Sequence, residues 1–216
     1  MMKQRIITLC LLTCVIAGCR TPTFESKEQI EDRLNDFGLT PRALYAYAWG
    51  DTHLELSVFD LTDISALRGM KLTSLAIHRN PRLADLEPLR GMKLKTIWIE
   101  NTAVSDLAPL SGMPIEKMYM SNTRVEDISP LGGMPLETLY LFGSPVGDLS
   151  PLQGMPLRML SFTPHHVTNG IDVIRSMETI NFISTGGAGS KLPAQEFWKK
   201  YDAERNQEEA EHIAGP

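Results

Sequence analysis

The dipeptide Gly-Met recurs along the middle of the chain at a nearly constant interval. It occupies residues 69–70, 91–92, 112–113, 133–134 and 154–155, so successive copies lie 22, 21, 21 and 21 residues apart. A fixed period of this length is typical of solenoids, in which each repeat is one structural unit that stacks on its neighbours. The spacing therefore predicts an elongated array of repeats.

Each copy divides into a strand segment and a turn segment. The first half carries apolar residues two apart, such as Ile97 and Ile99, which predicts a short half-buried strand. The second half follows the pattern Val-x-Asp-Leu-x-Pro-Leu, where the carboxylate can cap a short helical turn by accepting a backbone N–H. We expect structural turn caps at the aspartates of five copies: Asp63, Asp85, Asp106, Asp127 and Asp148.

The register L-x-x-L-x-L-x-x-(N/T)-x-(V/L) resembles the leucine-rich-repeat family in its short 21–22-residue bacterial form, here of the Gly-Met-Pro type. The resemblance covers residues 51–184. It implies an α/β solenoid with a curved parallel β-sheet on the concave face and short helical or irregular turns on the convex side. A non-solenoid α/β fold is the alternative.

Both ends of the array need caps, because a terminal repeat would otherwise expose the core. In the segment 26–50, Ile30, Leu34 and Phe37 have helical spacing and predict an N-terminal capping helix. The segment 185–216 reads as a glycine-rich loop, a capping helix and a charged tail that frays beyond Ala203. In that helix, the aromatic residues expected to cover the last strand are Phe197, Trp198 and Tyr201.

The first 18 residues read as an export signal. A basic lead precedes an apolar run of 13 residues, which is shorter than the roughly 20 that a membrane-spanning helix needs. The run ends in Ile16-Ala17-Gly18-Cys19, which resembles the lipobox of bacterial lipoproteins. The resemblance implies a signal peptide over 1–18, acyl chains on Cys19, a tether over 19–25 and, since Arg20 follows, the outer membrane. An ordinary signal or a buried apolar segment is the alternative.

Charge and cysteine content exclude several classes of partner and site. The chain has a formal net charge of −5, and removal of Lys3 and Arg5 with the signal would leave about −7. Such a surface repels phosphate backbones, so we expect no nucleic-acid partner. Cys10 and Cys14 would leave with the signal and Cys19 would be acylated, which removes every thiol available for a disulfide or a metal.

The concave face holds the candidate binding residues. The residue central to each strand segment is expected to point to this face, in the series Glu55, Ala76, Trp98, Tyr119, Tyr140, Ser161 and Asn181. The three consecutive aromatic residues predict a contact surface, because aromatic side chains contribute strongly to interfaces. Its predicted flanking residues are His78, Glu100, Lys117 and Phe142. Two alternatives stay open: the rings only stabilise the sheet, or a cap covers them.

No catalytic motif accompanies this surface. His165-His166 is the only local cluster of metal-ligating residues, and adjacent residues on an extended chain point in opposite directions. We therefore expect no enzyme, no metal and no cofactor, but an exported, lipid-anchored binding protein. A protein or peptide is the first candidate partner, and a glycan that stacks on the rings is the second. The rival interpretation is a structural envelope lipoprotein without a specific ligand.

Overall fold

The computed structural model describes residues 27–36, 43–46, 52–57, 60–186 and 190–214. Cys19, Ser26, Phe37 and the proposed signal and tether lie outside these residues. The helices are α1 (Lys27–Asp36), α2 (Ile171–Ser176) and α3 (Ala194–Ala214). The strands are β1 (Ala43–Ala46), β2 (Thr52–Glu55), β3 (Ser74–Ala76), β4 (Thr96–Trp98), β5 (Lys117–Tyr119), β6 (Thr138–Tyr140), β7 (Met159–Ser161), β8 (Phe182–Ser184) and β9 (Lys191–Pro193).

The strands form one sheet in which each strand pairs with the next along the chain. The six pairings from β2 to β8 are parallel, and the central residues of successive repeats face one another, as in the pair Trp98 and Tyr119. Short 3₁₀ turns lie between consecutive parallel strands, at Ser65–Leu67, Glu87–Leu89, Ala108–Leu110, Ser129–Leu131, Ser150–Leu152 and Pro164–His166. The predicted solenoid is confirmed: one strand and one turn make one rung of the array.

The hydrophobic core runs the length of the array between the sheet and the turns. Its sheet side is a column of middle-strand side chains that are fully buried: Leu54, Leu75, Ile97, Met118, Leu139, Leu160 and Ile183. The methionines of the five Gly-Met pairs are buried as well, at 2–5% exposure. A single rung could not cover this apolar side, so burial depends on the rungs above and below.

Backbone polar groups inside the turns are satisfied by side chains of one recurring position. In the first copy, the fully buried Asn80 donates to the carbonyls of Ile77 and Leu56 and accepts the N–H of Leu61. In the next copy Thr102 donates to the carbonyl of Ile99 at 2.7 Å. A buried backbone group without a partner would destabilise the fold by about 1–3 kcal/mol, which explains why each copy supplies a polar side chain here.

The turn aspartates act one position earlier than an N-cap. In each of the five copies an aspartate Oδ1 accepts the N–H of the residue two positions later, at 2.7–2.8 Å. The N-cap itself is the following apolar residue, for example Leu107 after Asp106. At the exit of each turn the glycine of the Gly-Met pair has a φ of 71–78°, in the left-handed region that glycine adopts without strain.

Both ends of the sheet differ from the sequence prediction. The sequence predicts helical caps, and α1 does bury Ile30 and Leu34. The structure adds strands: β1 pairs with β2 and β9 pairs with β8, both antiparallel. Helix α3 continues to Ala214, beyond Ala203, where the sequence predicts fraying. Phe197 is 5% exposed and lies 5.9 Å, between ring centroids, from the core residue Phe162.

The last parallel strand is also shifted relative to the prediction. Ser184, rather than Asn181, continues the central column, because Ser161 pairs with Ser184. The intervening helix α2 lengthens this copy, so that 23 residues separate the paired positions Ser161 and Ser184. No helix among the described residues is long and apolar enough to cross a membrane.

Candidate functional site

Three parallel columns of side chains stand on the concave face, the side of the sheet opposite the core. Strand pairing sets Trp98, Tyr119 and Tyr140 side by side in the central column. All three are half-buried, so the structure does not place them beneath a cap. The residues two positions before each member of the central column form one flank, which contains Lys117. The residues two positions after each member form the other flank, which contains Glu100.

The three aromatic side chains form a continuous stack, the aromatic ladder (Trp98, Tyr119 and Tyr140). The ring centroids of Trp98 and Tyr119 are 5.3 Å apart with planes inclined by 6°. Those of Tyr119 and Tyr140 are 5.2 Å apart with planes inclined by 27°. His53 meets Trp98 edge to face at 5.7 Å. Trp98 thus contacts a residue two strands away, and the intervening residue in its column, Ala76, is 4% exposed.

Stacking determines which part of each ring a ligand can reach. Within the ladder, the faces of neighbouring rings lie against one another, so each ring presents its edge and polar atoms outward. Ring edges carry the positive part of the aromatic quadrupole, whereas the negative faces are used inside the stack. A sugar that binds by lying flat on a ring therefore has no access to the faces between the rings.

The tyrosine hydroxyls remain hydrogen-bond donors at neutral pH. Burial raises the pKa of Tyr119, with further contributions from Tyr140 and from the negative charge of Glu100. Burial and Glu100 raise the pKa of Tyr140 in the same direction. Both phenols keep their protons, so the outer edge of the ladder offers hydroxyl groups that can donate or accept.

The flanking residues predicted for this site lie on the same face but differ in exposure and in hydrogen bonding. Lys117 is exposed on one flank. On the other flank, the ring of His78 is hydrogen-bonded through Nδ1 to the Ser57 hydroxyl at 2.9 Å. Glu100 is half-buried beside the ladder, and Phe142 is half-buried one rung beyond Ser121.

A cavity of about 550 Å³ between the array and the C-terminal helix was not predicted from the sequence. Phe142 and Thr163 line it from the array, and Leu192 and Tyr201 line it from the C-terminal strand and helix. The helical spacing of its aromatic residues predicts that α3 packs on the array. The repeat period gives no information about the direction in which α3 crosses the array, so the cavity could not be predicted. In the rung that follows Tyr140, Ser161 is fully buried and its hydroxyl has no hydrogen-bond partner among the described residues.

The described residues contain no group of three or more His, Cys, Asp or Glu side chains arranged to hold a metal ion. The rings of His165 and His166 meet edge to face at 4.6 Å, and His166 Nδ1 lies 3.3 Å from the carbonyl oxygen of Ser144. The five turn aspartates are exposed on the turns, where each one bonds its own turn. These groups are distributed along the array rather than gathered in a cleft.

The fold has counterparts among solved structures. No protein-family model and no curated protein matches the chain. An internalin of Listeria monocytogenes is similar, with 27% sequence identity and a TM-score of 0.51 over 57% of this chain and 37% of that one. An internalin C2 of the same organism shares 24% identity, with a TM-score of 0.41 over 48% of this chain and 57% of that one.

The chain thus spans less than two thirds of the length of either internalin. Internalins are bacterial leucine-rich-repeat proteins, and the parallel strands, 3₁₀ turns and repeat period of this chain agree with that architecture. The protein is therefore a leucine-rich-repeat solenoid whose fold is similar to that of the internalins.

Proposed function

We propose that the protein is a non-enzymatic binding protein, exported and anchored to the membrane through Cys19, which holds a protein or peptide partner on its concave face. The fold supports a protein-binding role, since the internalin that matches with a TM-score of 0.51 is a leucine-rich-repeat protein. The outer membrane is the membrane we propose, on the resemblance of residues 16–20 to a lipobox followed by Arg.

The observation that carries the proposal is the aromatic ladder. Its three side chains are half-buried rather than covered, and they offer ring edges and hydroxyl groups along one line of the concave face. Consecutive rungs are about 4.8 Å apart, so the ladder is roughly 10 Å long, which matches about three residues of an extended peptide. Edge-on presentation favours a peptide over a glycan, because the faces between the three rings are used within the ladder and are closed to a sugar.

The rival function, a structural envelope lipoprotein, is favoured by the same stacking. Each stacked pair contributes about 0.5–1.5 kcal/mol beyond burial, so the ladder would stabilise the sheet without any ligand. The two functions differ in one respect. A binding face must capture something in the cell, whereas a stabilising ladder need not.

Crosslinking in living cells separates them. A photoreactive residue placed at Ser121 lies beside the ladder and leaves its rings intact; a matched probe at Glu126 lies on an exposed turn position. We expect a protein captured from position 121 and not from position 126, and loss of this product in the variant Trp98→Ala, Tyr119→Ala, Tyr140→Ala. Circular dichroism of that variant checks that the array still folds. Products that are equal at both positions, or unchanged in the triple variant, would exclude the concave face as the binding surface.

A further inference from the structure

We infer that the concave face recognises its partner through a cationic side chain, arginine or lysine, that pairs with Glu100. The inference rests on the proposed function and adds the chemistry of the partner. Its starting point is the way in which the polar side chains of this face are satisfied.

Several polar side chains on the concave face bond to the adjacent rung. His53 Nδ1 lies 3.0 Å from the Ser74 hydroxyl. The Ser57 hydroxyl lies 2.9 Å from His78 Nδ1, and the Thr163 hydroxyl accepts the N–H of Gly143 at 2.9 Å. These contacts join neighbouring repeats, and they leave the groups involved with fewer sites for a ligand.

Glu100 is different. In the described part of the chain its carboxylate makes neither a hydrogen bond nor an ion pair, although the side chain is half-buried. Two more accessible carboxylates of the turns do have cationic partners: Asp60 pairs with Arg82, and Glu87 pairs with Arg90. Glu100 thus combines partial burial with a carboxylate that forms no ion pair among the described residues, next to the aromatic ladder.

The surroundings of Glu100 suit a long cationic side chain. Burial raises the pKa of Glu100, and the positive charge of Arg79 offsets only part of that effect. A half-desolvated carboxylate without a partner is unfavourable in isolation, and a guanidinium or ammonium group would compensate it. Glu100 also lies close enough to Tyr119 and Tyr140 to affect their ionisation. The apolar stem of arginine or lysine could lie along those ring edges while its charge meets the carboxylate.

Long-range electrostatics act in the same direction. The chain carries a net charge of −5, which attracts cationic partners and slows the approach of anionic ones. Lys117 stands on the opposite flank of the ladder from Glu100. A partner segment that crosses the ladder would therefore meet a negative group on one side and a positive group on the other, which defines its direction.

Selection from a peptide-display library on the purified full chain tests the inference. We expect peptides selected on the wild type to be enriched in arginine or lysine at one position. That enrichment should disappear on Glu100→Gln, which keeps the size of the side chain and removes its charge. The matched control Glu126→Gln makes the same change in net charge at an exposed turn position and should retain the enrichment.

The strongest peptide then measures the pairing directly. Replacing its arginine with citrulline, which is nearly isosteric but neutral, should weaken binding to the wild type about tenfold and binding to Glu100→Gln much less. Equal losses on the two proteins, or no cationic enrichment on the wild type, would overturn the inference. The proposed function would survive that result if the peptides still failed to bind the triple alanine variant of the ladder. Peptides that bind the triple variant as well as the wild type would instead contradict the proposed function.

Discussion

Ring stacking on the concave face stabilises the sheet and leaves the ring edges exposed to the proposed partner. The two stacked pairs, Trp98 with Tyr119 and Tyr119 with Tyr140, together contribute about 1–3 kcal/mol beyond burial. Stacking also fixes the torsion angles of the three side chains, so little conformational entropy remains to be lost when a ligand binds. Stabilisation and binding are thus compatible uses of the same residues.

Glu100 predicts a specific pH dependence of stability. Its pKa is raised in the folded protein by burial, so the unfolded chain ionises first as the pH rises. The contribution of Glu100 to the free energy of unfolding is then complete below the ordinary glutamate pKa and is lost as the pH rises through the folded value. Urea unfolding of wild type and Glu100→Gln between pH 4 and pH 7 should show the wild type losing stability relative to the variant.

Glu126→Gln serves as the control for that comparison, since it changes the same charge at an exposed position. A wild type that gains stability relative to Glu100→Gln over this pH range would show that Glu100 has a favourable partner in the folded protein.

The sequence predicts the members of the columns but not their contacts. A fixed period is enough to place Trp98, Tyr119 and Tyr140 in consecutive rungs, because strand pairing repeats with the same register. The interplanar angle between two rings depends on the torsion angles of several neighbouring side chains. The same is true of the Glu100 carboxylate, which has no ion-pair partner among the residues that the structure describes. Those angles are set by packing between repeats, which one-dimensional periodicity does not describe.

The backbone conformation at the exit of each 3₁₀ turn limits which residue can replace the glycine there. Gly133 has a φ of 74°, and a Cβ atom added there would meet nothing within 4 Å. Space is therefore available for a side chain, and only the backbone conformation opposes it.

Substitution of Gly133 should reveal that backbone strain in isolation. We expect Gly133→Ala to lower the free energy of unfolding by about 1–2 kcal/mol, because the left-handed conformation is unfavourable for alanine. Asparagine tolerates this conformation better, so Gly133→Asn should lose less. Urea unfolding monitored by circular dichroism compares the two variants. Equal losses would indicate a contact made by the larger side chains rather than strain.

The elements inside the array follow from the sequence, whereas those at its ends do not. Each internal strand and turn recurs in several copies with equivalent residues, so a prediction that is uncertain in one copy is fixed by comparison with the others. Strands β1 and β9 occur once each and have no counterpart in the period. The register of β8 is similarly hidden, because α2 changes the length of the last copy and moves Ser184 into the position expected for Asn181.

For the whole array, the free energy of unfolding is expected to be close to the sum of the contributions of the single rungs and of the contacts between adjacent rungs. The sheet pairs strands only in chain order, and consecutive turns pack on one another in the same order. When one entire repeat is removed, the rungs on its two sides can therefore pack on each other through equivalent surfaces.

Deletion of residues 113–133 tests this additivity. The deletion joins Gly112 to Met134 and brings Trp98 and Tyr140 into adjacent rungs. We expect a folded protein with the same type of circular dichroism spectrum and a lower urea midpoint. Deletion of residues 113–123, about half a repeat, should abolish cooperative unfolding because it disrupts the register. A shortened array that unfolds non-cooperatively after the full-repeat deletion would show that the rungs are not interchangeable.

The two antiparallel edge strands have a consequence for assembly. A sheet of identical parallel rungs could in principle be extended without limit by another molecule joining at its edge. Here β9 runs against the direction of the array, is three residues long and ends at Pro193, which has no N–H to donate. At the other edge β1 also runs in the opposite direction. Head-to-tail growth into filaments would thus have to start from a three-residue strand that lacks one N–H donor, which disfavours extension of the sheet by a second molecule.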